Sequence, residues 1–419
     1  MKKPLTSAIS FVTIAVGIFA MLPEQNMLAQ SSPAIVWSAN GHATYHAVTG
    51  LGFSGDGSLL VSGSSDQTAK VWSVSGPNLV RSLSIAGPDV GTLLSVAISW
   101  DGTLVGAGDG DGKSRVWRMT TGQRLWIAGM NNQSVYSSAF NRSNNLFCAG
   151  RDVGFIVGDS QTGQGLGLVN NRGVFDARFS PDGTLLAAGN ADNTASLYGI
   201  PAVVSQPTNT FIRDFIGHSQ PIMSVDFSPD GKFLATTSGD GTARLWNTTN
   251  GEQVRVIAGG GGTGVPISIN EGVGRVRFSA DGKTLLTSSN GTLRFWSVTD
   301  GKLIFTYTNV GNGVFAVSPD GKHFAYGTGC SGSFCSIPNT NAAVVLARMP
   351  LFITEAAVRT NAFQLEWQGG TGLYHVEQSS DVVSSSWQVV AGPFTNTGLS
   401  VPLTNGNRFF RVRDANNAP

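Results

Sequence analysis

Charged residues are scarce in this chain: Asp, Glu, Lys and Arg together make up 13% of it, about half the usual share. The 27 basic and 26 acidic residues nearly balance, and no basic run with interleaved aromatic residues occurs. We therefore expect neither nucleic acid nor an anionic membrane surface to be a partner. Hydrophobic residues at 41% still supply a sizeable core, which argues against a disordered chain.

Cysteine is also rare, with Cys148, Cys330 and Cys335 in 419 residues. Cys330 and Cys335 flank a short Gly/Ser-rich segment and could form a disulfide, with two free thiols as the alternative. Closing so small a loop would contribute about 2 kcal/mol at most. Cys148 lies in an apolar run, residues 146–149, and is expected to be a buried, inert thiol.

The first 29 residues have the pattern of a signal peptide. Lys2 and Lys3 precede an uncharged apolar run, residues 8–22, and we place cleavage after Ala29. The run is short for a membrane span, so we expect export to the periplasm, cell surface or extracellular space without stable membrane insertion after cleavage. An uncleaved anchor is the alternative. Past residue 29 the chain has 25 basic and 25 acidic residues, because Lys2, Lys3 and Glu24 are removed.

Helical periodicity is missing after the first 29 residues, whereas glycine is abundant at 54 residues. An alternating apolar strand, a Ser-Pro-Asp-Gly-like turn and a second apolar strand recur seven times. The turns are marked by Asp56, Asp101, Asn144, Asp182, Asp230, Asp281 and Asp320. Their spacings of 45, 43, 38, 48, 51 and 39 residues fit four-stranded propeller blades. The sequence therefore predicts an all-β, seven-bladed β-propeller.

Each unit continues with a strand that ends in an aromatic residue, as at Trp72, Trp117, Trp246 and Trp296. Gly-His pairs open two units, at His42 and His218. On these residues the chain resembles the WD40-repeat family over residues 35–348. It departs from the family pattern because Ser, Arg or Asn follows each of these Trp residues instead of Asp. Unit three has Gly158-Asp159 at this place, and unit four has Leu197-Tyr198.

The seventh unit has only three strands before the composition changes at Pro350. A strand at residues 34–37, which precedes unit one, is predicted to complete blade seven and hide the edge of the ring. The expected domains are thus a signal peptide at 1–29, a propeller at 30–349 and a small all-β module at 350–419. The module has five alternating segments and weakly resembles a fibronectin type III or immunoglobulin-like sandwich.

Two sets of side chains recur in kind: His42, Ser62, Asp66 and Trp72 in unit one, and His218, Thr236, Asp240 and Trp246 in unit five. A Ser-His-Asp set could belong to a hydrolase triad. The WD-repeat resemblance instead implies a buried structural tetrad that joins indole, hydroxyl, imidazole and carboxylate. No nucleophile elbow frames Ser62, so we expect no catalytic residue here.

Two further motifs are read as loops. Gly259, Gly261 and Gly264 match a dinucleotide pattern but no helix follows, and the Asp109–Gly112 turn lacks the later ligands of a calcium site. We therefore expect no cofactor and no metal.

Two long segments, residues 258–272 and 327–341, are expected on one face of the propeller. They carry the candidate binding residues Gly259, Gly261, Thr263, Asn270, Ser333 and Phe334. Drift in loop length is the alternative explanation. The WD-repeat resemblance implies a non-catalytic scaffold that binds a protein or peptide. The sequence leaves the oligomeric state open, with a monomer favoured. A propeller hydrolase or lyase and a glycan-binding or adhesive surface protein are the alternatives.

Overall fold

The computed structural model describes residues 12–16, 33–85, 91–129, 132–143, 145–168, 172–200, 211–258, 274–289, 291–308, 310–311, 313–329 and 342–350, and six strands between residues 352 and 414. Every regular element in these ranges is a β-strand. No helix in them could cross a membrane. Seven four-stranded sheets, which we call blades one to seven, form a β-propeller.

The first four blades each use four strands that follow one another along the chain. Blade one has β3 (Val48–Phe53), β4 (Leu59–Ser64), β5 (Thr68–Ser73) and β6 (Leu79–Ser84). Blade two has β7 (Leu93–Ile98), β8 (Leu104–Asp109), β9 (Lys113–Arg118) and β10 (Arg124–Gly129). Blade three has β11 (Val135–Phe140), β12 (Leu146–Arg151), β13 (Phe155–Asp159) and β14 (Gly165–Leu168). Blade four has β15 (Val174–Phe179), β16 (Leu185–Asn190), β17 (Ala195–Gly199) and β18 (Phe211–Phe215).

The last blade differs from the others because its fourth strand comes from the other end of the chain. Blade five has β19 (Ile222–Phe227), β20 (Phe233–Ser238), β21 (Thr242–Asn247) and β22 (Gln253–Ala258). Blade six has β23 (Val276–Phe278), β24 (Thr284–Ser289), β25 (Thr292–Ser297) and β26 (Leu303–Thr308). Blade seven has β27 (Phe315–Val317), β28 (His323–Gly327), β29 (Val344–Arg348) and β2 (Ile35–Ala39).

The second strand of each blade is packed from both sides by neighbouring blades. In β8 all six residues are buried, and β4 and β12 are nearly or wholly so. Their first five residues are accordingly apolar or small, whereas outer strands such as β6 are mostly exposed. The core is thus a series of clusters between adjacent blades, such as the one that joins blades one and two around Val61 and Trp117.

The recurrent turn between the first and second strands is built by its own side chains. Ser54 Oγ donates to Asp56 Oδ1 at 2.6 Å, and the same carboxylate oxygen accepts from the Ser58 amide at 3.0 Å. Gly57 has a φ of 71°, which glycine adopts without strain. Because this bonding needs Ser, Asp and Gly at fixed positions, the turn is the most regular part of the repeat. In blade three Asn141 and Ser143 replace Ser54 and Asp56, and Asn144 lies outside the described residues.

Part of the glycine content comes from close packing between blades. Gly108 of β8 faces Val135, the first residue of the next inner strand, and a Cβ at Gly108 would overlap it. Gly150 faces Val174 in the same way, with a Cβ only 2.9 Å from Val174 Cγ1. Glycine at this point of the second strand therefore lets consecutive blades approach each other.

Strand β2 closes the ring by hydrogen bonding beside β29 as the outer strand of blade seven. Trp37 on this strand is buried, and its Nε1 donates to Val74 O of blade one at 3.0 Å. Trp37 also packs in one cluster with Trp72 and Leu346. The strand thus joins the outer edge of blade seven to the next blade.

In blade four, Tyr198 occupies the position that Trp72 occupies in blade one. Each of the two residues pairs with the second residue of the second strand in its own blade. The sequence interpretation had set the Leu197-Tyr198 pair there one residue too early. In blade three Gly158 stands at this position.

The C-terminal region contains two small sheets. Their strands are β1 (Val12–Val16), β30 (Phe352–Arg359), β31 (Ala362–Gln368), β32 (Tyr374–Ser379), β33 (Gln388–Phe394), β34 (Gly398–Pro402) and β35 (Arg408–Asp414). One sheet has the order β1-β35-β32-β33 and the other β30-β31-β34. Strand β1 comes from the apolar run of the predicted signal peptide and pairs antiparallel with β35. By their contacts the residues form two compact units, with Trp37–Asp320 and Phe324–Leu346 in one and the two C-terminal sheets in the other.

Candidate functional site

The strand order of the blades separates the connecting loops into two faces. Consecutive strands of a blade are antiparallel, so the links between blades and the loops between second and third strands open on the same face. We call it the blade-linking face. The Ser-x-Asp-Gly turns lie on the opposite face.

Four side chains of blade one form a continuous hydrogen-bonded chain behind the blade-linking face. Trp72 Nε1 donates to Ser62 Oγ at 2.8 Å, and Ser62 Oγ lies 2.8 Å from His42 Nε2. His42 Nδ1 lies 2.9 Å from Asp66 Oδ2. The order of groups from Ser62 to Asp66 is that of a hydrolase triad.

Two features distinguish this set from a working triad: its serine is buried, and the serine oxygen already accepts a hydrogen bond. Ser62 is 0% exposed, and its oxygen already accepts the indole N–H. Burial alone would raise the pKa of Asp66, but hydrogen bonds from His42, Thr68 and the Ala43 amide outweigh it and hold that pKa well below its usual range. The polar groups are satisfied within the set, and Ser62 has no exposure to solvent in this structure.

The same arrangement recurs in blade five. Trp246 Nε1 donates to Thr236 Oγ1 at 2.9 Å, and Thr236 Oγ1 lies 2.7 Å from His218 Nε2. His218 Nδ1 lies 2.8 Å from Asp240 Oδ2, and these hydrogen bonds likewise keep the pKa of Asp240 low against the opposing effect of burial. A threonine in place of serine shows that the device needs only a hydroxyl.

Other blades have different polar pairs between their strands. Blade two has a buried ion pair between Arg115 and Asp109, and blade six keeps only the bond from Trp296 Nε1 to Thr287 Oγ1 at 2.8 Å. In blade four Arg172 Nη1 donates to Asp214 Oδ1 at 2.9 Å. The tetrad is thus one of several ways in which this chain satisfies buried polar groups between strands.

The two tetrads also fix loops of the blade-linking face. Asp66 Oδ2 accepts from the Ala43 amide at 2.9 Å, and Asp240 Oδ2 accepts from the Ser219 amide at 3.1 Å. Each carboxylate lies on the loop between the second and third strands of its blade. It therefore binds the segment that connects the preceding blade to its own.

Next to these anchored positions lie two very exposed apolar side chains. Tyr45 and Ile216 are each 76% exposed, the largest values among large hydrophobic residues in the part of the chain that the structure describes. Tyr45 has a φ of 65°, a conformation that non-glycine residues rarely adopt. Both belong to links between blades, so both lie on the blade-linking face.

Several residues singled out in the sequence cannot be placed. Cys330 and Cys335, together with Gly259, Gly261, Thr263, Asn270, Ser333 and Phe334, lie outside the described residues. Asp109 of the Asp-Gly-Asp-Gly turn can be placed: its carboxylate accepts from the Lys113 amide at 2.8 Å and pairs with Arg115. The described ranges contain no group of three His, Cys, Asp or Glu side chains that could hold a metal ion.

The sequence interpretation missed a cluster of charged residues on the inner strands of blades four to six. It consists of Asp176, Arg178, Asp226, Arg275 and Arg277. The signal was present in the sequence, because these residues lie two or four positions before the Ser of the turn, where the other units have small or apolar residues. The spacing of the turns locates the blades but does not by itself compare their inner strands residue by residue.

One family model matches four segments of the chain. The model described as WD40, "WD domain, G-beta repeat", matches residues 34–73, 168–198, 209–247 and 267–297. The matches that start at residues 34 and 209 begin with the outer strand of the preceding blade, β2 and β18. The chain contains WD40 repeats, and the matched segments correspond to blades one, four, five and six of the propeller.

Proposed function

We propose that this WD40-repeat propeller is a non-catalytic interaction scaffold that binds a protein or peptide on its blade-linking face. The fold is consistent with this role because WD40 propellers commonly bind proteins or peptides. Fold alone does not assign function, so the role depends on what the surface of the propeller offers a partner.

The observation that carries the proposal is that Tyr45 and Ile216 lie on the same face and are each 76% exposed. Each side chain offers a partner a large apolar contact on that face. Tyrosine is among the residues that dominate binding energy when buried in an interface.

The tetrads support the same conclusion by making the loops rigid. Ala43 and Ser219, whose amides are bound by Asp66 and Asp240, lie two and three residues from Tyr45 and Ile216. A pre-organised loop loses less conformational entropy when it binds. The tetrads would therefore act in binding through loop position and not through chemistry.

Export belongs to the proposal as well. Lys2, Lys3 and the following apolar run support a signal peptide, with the mature protein outside the cytoplasm. Cleavage after Ala29 would remove β1 and leave β35 as the edge strand of its sheet. In the mature protein the residues past 350 would form a fibronectin-like or immunoglobulin-like spacer.

Affinity capture from the exported proteins of the source cell tests the scaffold, with the full chain as bait. A double variant, Tyr45→Ala with Ile216→Ala, is compared with Phe211→Ala and Leu303→Ala, which truncate half-exposed apolar residues on outer strands. We expect a partner whose Kd rises at least about tenfold for the double variant and stays unchanged for the control. A partner that binds the double variant as tightly as the unmodified chain would refute the face, and absence of any partner would refute the scaffold.

A further inference from the structure

The inner strands of the seven blades present equivalent residues to the propeller axis at two levels. Each level is defined by the residue that lies opposite on the second strand of the same blade. At one level Gly50 pairs with Gly63 in blade one, as Asp176 pairs with Gly189 in blade four. At the other level Gly52 pairs with Val61, as Arg178 pairs with Ala187. In blades one, two, three and seven the residues at these levels are small or apolar: Gly50, Gly52, Ser95, Ala97, Ser137, Ala139, Val314 and Ala316.

Blades four, five and six place charges at the same two levels. Asp176 and Arg275 occupy the level nearer the blade-linking face, and Arg178, Asp226 and Arg277 occupy the other. Three guanidinium groups and two carboxylates therefore meet on one side of the axis.

Asp176 is the organising anion of this cluster. Its two oxygens accept from Ser137 Oγ at 2.9 Å and Ser224 Oγ at 2.7 Å, on the blades to either side. Arg178 Nε lies 3.3 Å from Oδ1, and Arg277 Nη1 lies 3.6 Å from Oδ2. Burial would raise the pKa of Asp176, but the neighbouring arginines outweigh it and lower the pKa to about 2, so this carboxylate is fully ionised at neutral pH.

Asp226 compensates the remaining positive charge only in part. Its Oδ2 accepts from the Phe278 amide at 2.8 Å, and burial raises its pKa. Even when Asp226 is ionised, the cluster has three positive and two negative charges and is left with an excess of one.

Arg275 is the cation of this cluster that forms no ion pair with a carboxylate among the described residues. Its Nη2 donates to Thr49 O of blade one at 3.0 Å, so the side chain extends past blade seven across the axis. Its Nε is buried and has no hydrogen-bond partner among the described residues. Burial and the nearby charge of Arg277 lower the pKa of Arg275 to about 10, and the group stays protonated at neutral pH.

We propose that the axial opening of this propeller holds a binding site for a small oxyanion of the phosphate or sulfate class, with Arg275 as its principal ligand and Arg277 and Arg178 beside it. A protonated guanidinium whose buried Nε–H has no partner among the described residues is an unfavourable arrangement, which an oxyanion would satisfy through charge-assisted hydrogen bonds. The site is independent of the partner proposed for the blade-linking face.

Calorimetric titration of the full chain with inorganic phosphate tests the site, with sodium chloride at equal ionic strength as the reference. We expect saturable binding of phosphate, absent with chloride, and a matching rise in Tm. Arg275→Gln should weaken phosphate binding at least about tenfold. Arg255→Gln is the matched control, because Arg255 also donates to backbone carbonyls, of Thr299 and Asp300, but lies on an outer strand. It should leave binding unchanged.

Arg275→Lys keeps the positive charge but lacks the planar guanidinium group. It also provides a test if the Arg275→Gln variant fails to fold. It should bind phosphate more weakly than the unmodified chain and more tightly than Arg275→Gln. Binding of phosphate that is unsaturable, that chloride reproduces, or that is equal in Arg275→Lys and the unmodified chain would overturn the proposal.

Discussion

Trp72 Nε1 donates a 2.8 Å hydrogen bond to Ser62 Oγ, and this bond determines what the Ser-His-Asp set of blade one can do. The hydroxyl accepts from the indole and faces His42, so both sides of the oxygen are engaged inside the blade. A nucleophile must instead point at substrate with an oxyanion site beside it. The set therefore resembles a triad in connectivity, but its hydroxyl is engaged inside the blade.

Removal of the Ser62 hydroxyl should destabilise the propeller. In Ser62→Ala the Trp72 N–H and the His42 Nε2 lose their common partner inside the blade. Two unsatisfied buried groups should lower the free energy of unfolding by about 2 to 4 kcal/mol, measured by chemical denaturation.

Ser62→Thr is the matched control, because Thr236 occupies the same position in blade five with the same two bonds. It should cost much less than the alanine variant. Equal losses in the two variants would show that packing, and not the hydroxyl, is what matters at this position.

The tetrad carboxylates predict that the free energy of unfolding falls in acid. Asp66 and Asp240 have pKa values well below the ordinary 3.8 of aspartate, chiefly because hydrogen bonds from His42 and His218 outweigh burial. A depressed folded-state pKa stabilises the protein above the unfolded-state pKa, and this contribution is lost as the pH falls below about 4. Asp66→Asn with Asp240→Asn should therefore flatten the fall in unfolding free energy between about pH 4 and about pH 2.

The exposed-turn carboxylate Asp230 supplies the comparison for that experiment. Its pKa is also lowered, first by the hydroxyl of Ser228, but its ion pair with Lys232 is largely exposed. Asp230→Asn should change the acid slope much less than the tetrad variants. If the three substitutions had equal effects on the slope, the tetrads would not be the source of the acid sensitivity.

Cys148 should behave as an inert thiol. It is 0% exposed on β12, and burial raises the pKa of its thiol to about 12. In a Cys330→Ser/Cys335→Ser variant, a thiolate-specific reagent at pH 8 should label Cys148 only after denaturant is added, since the thiolate is the reacting form. Labelling of the native variant at the rate of the unfolded chain would contradict both its burial and its raised pKa.

The turns and the tetrads differ from the axial charges in how far sequence could predict them. Asp56 and Gly57 act within one turn, so their spacing is visible directly in the repeat. Asp176 instead contacts Ser137 and Ser224, about forty and fifty residues away on two other blades. Such contacts depend on inter-blade register, which the turn spacing alone does not provide.

The misplaced pair at Leu197-Tyr198 has a related cause. Tyr198 fills the position of Trp72 and packs against Phe155 of blade three at a ring distance of 5.0 Å. The sequence shows an aromatic residue near the end of the strand, but only pairing with β16 fixes which residue faces the neighbouring blade. Local pattern predicts the element, and strand pairing determines the side of the sheet.

Closure of the ring gives the sharpest test of the fold. Deletion of residues 1–40 removes all of β2 and leaves β29 as an open edge on blade seven, whereas deletion of residues 1–33 keeps β2. The longer deletion should lower Tm by more than about 8 °C relative to the shorter one, because the strand, its buried Trp37 and the bond to Val74 are lost together.

Trp37→Ala in the chain that keeps β2 separates the side chain from the strand. It should cost about 3 to 5 kcal/mol of unfolding free energy, since Trp37 packs against Trp72 at a ring distance of 6.5 Å between the last blade and the first. Ile35→Ala on the same strand is the control, because Ile35 is 57% exposed and should cost little. Equal Tm values for the two deletions would mean that β2 does not hold the ring closed, whatever the effect of Trp37→Ala.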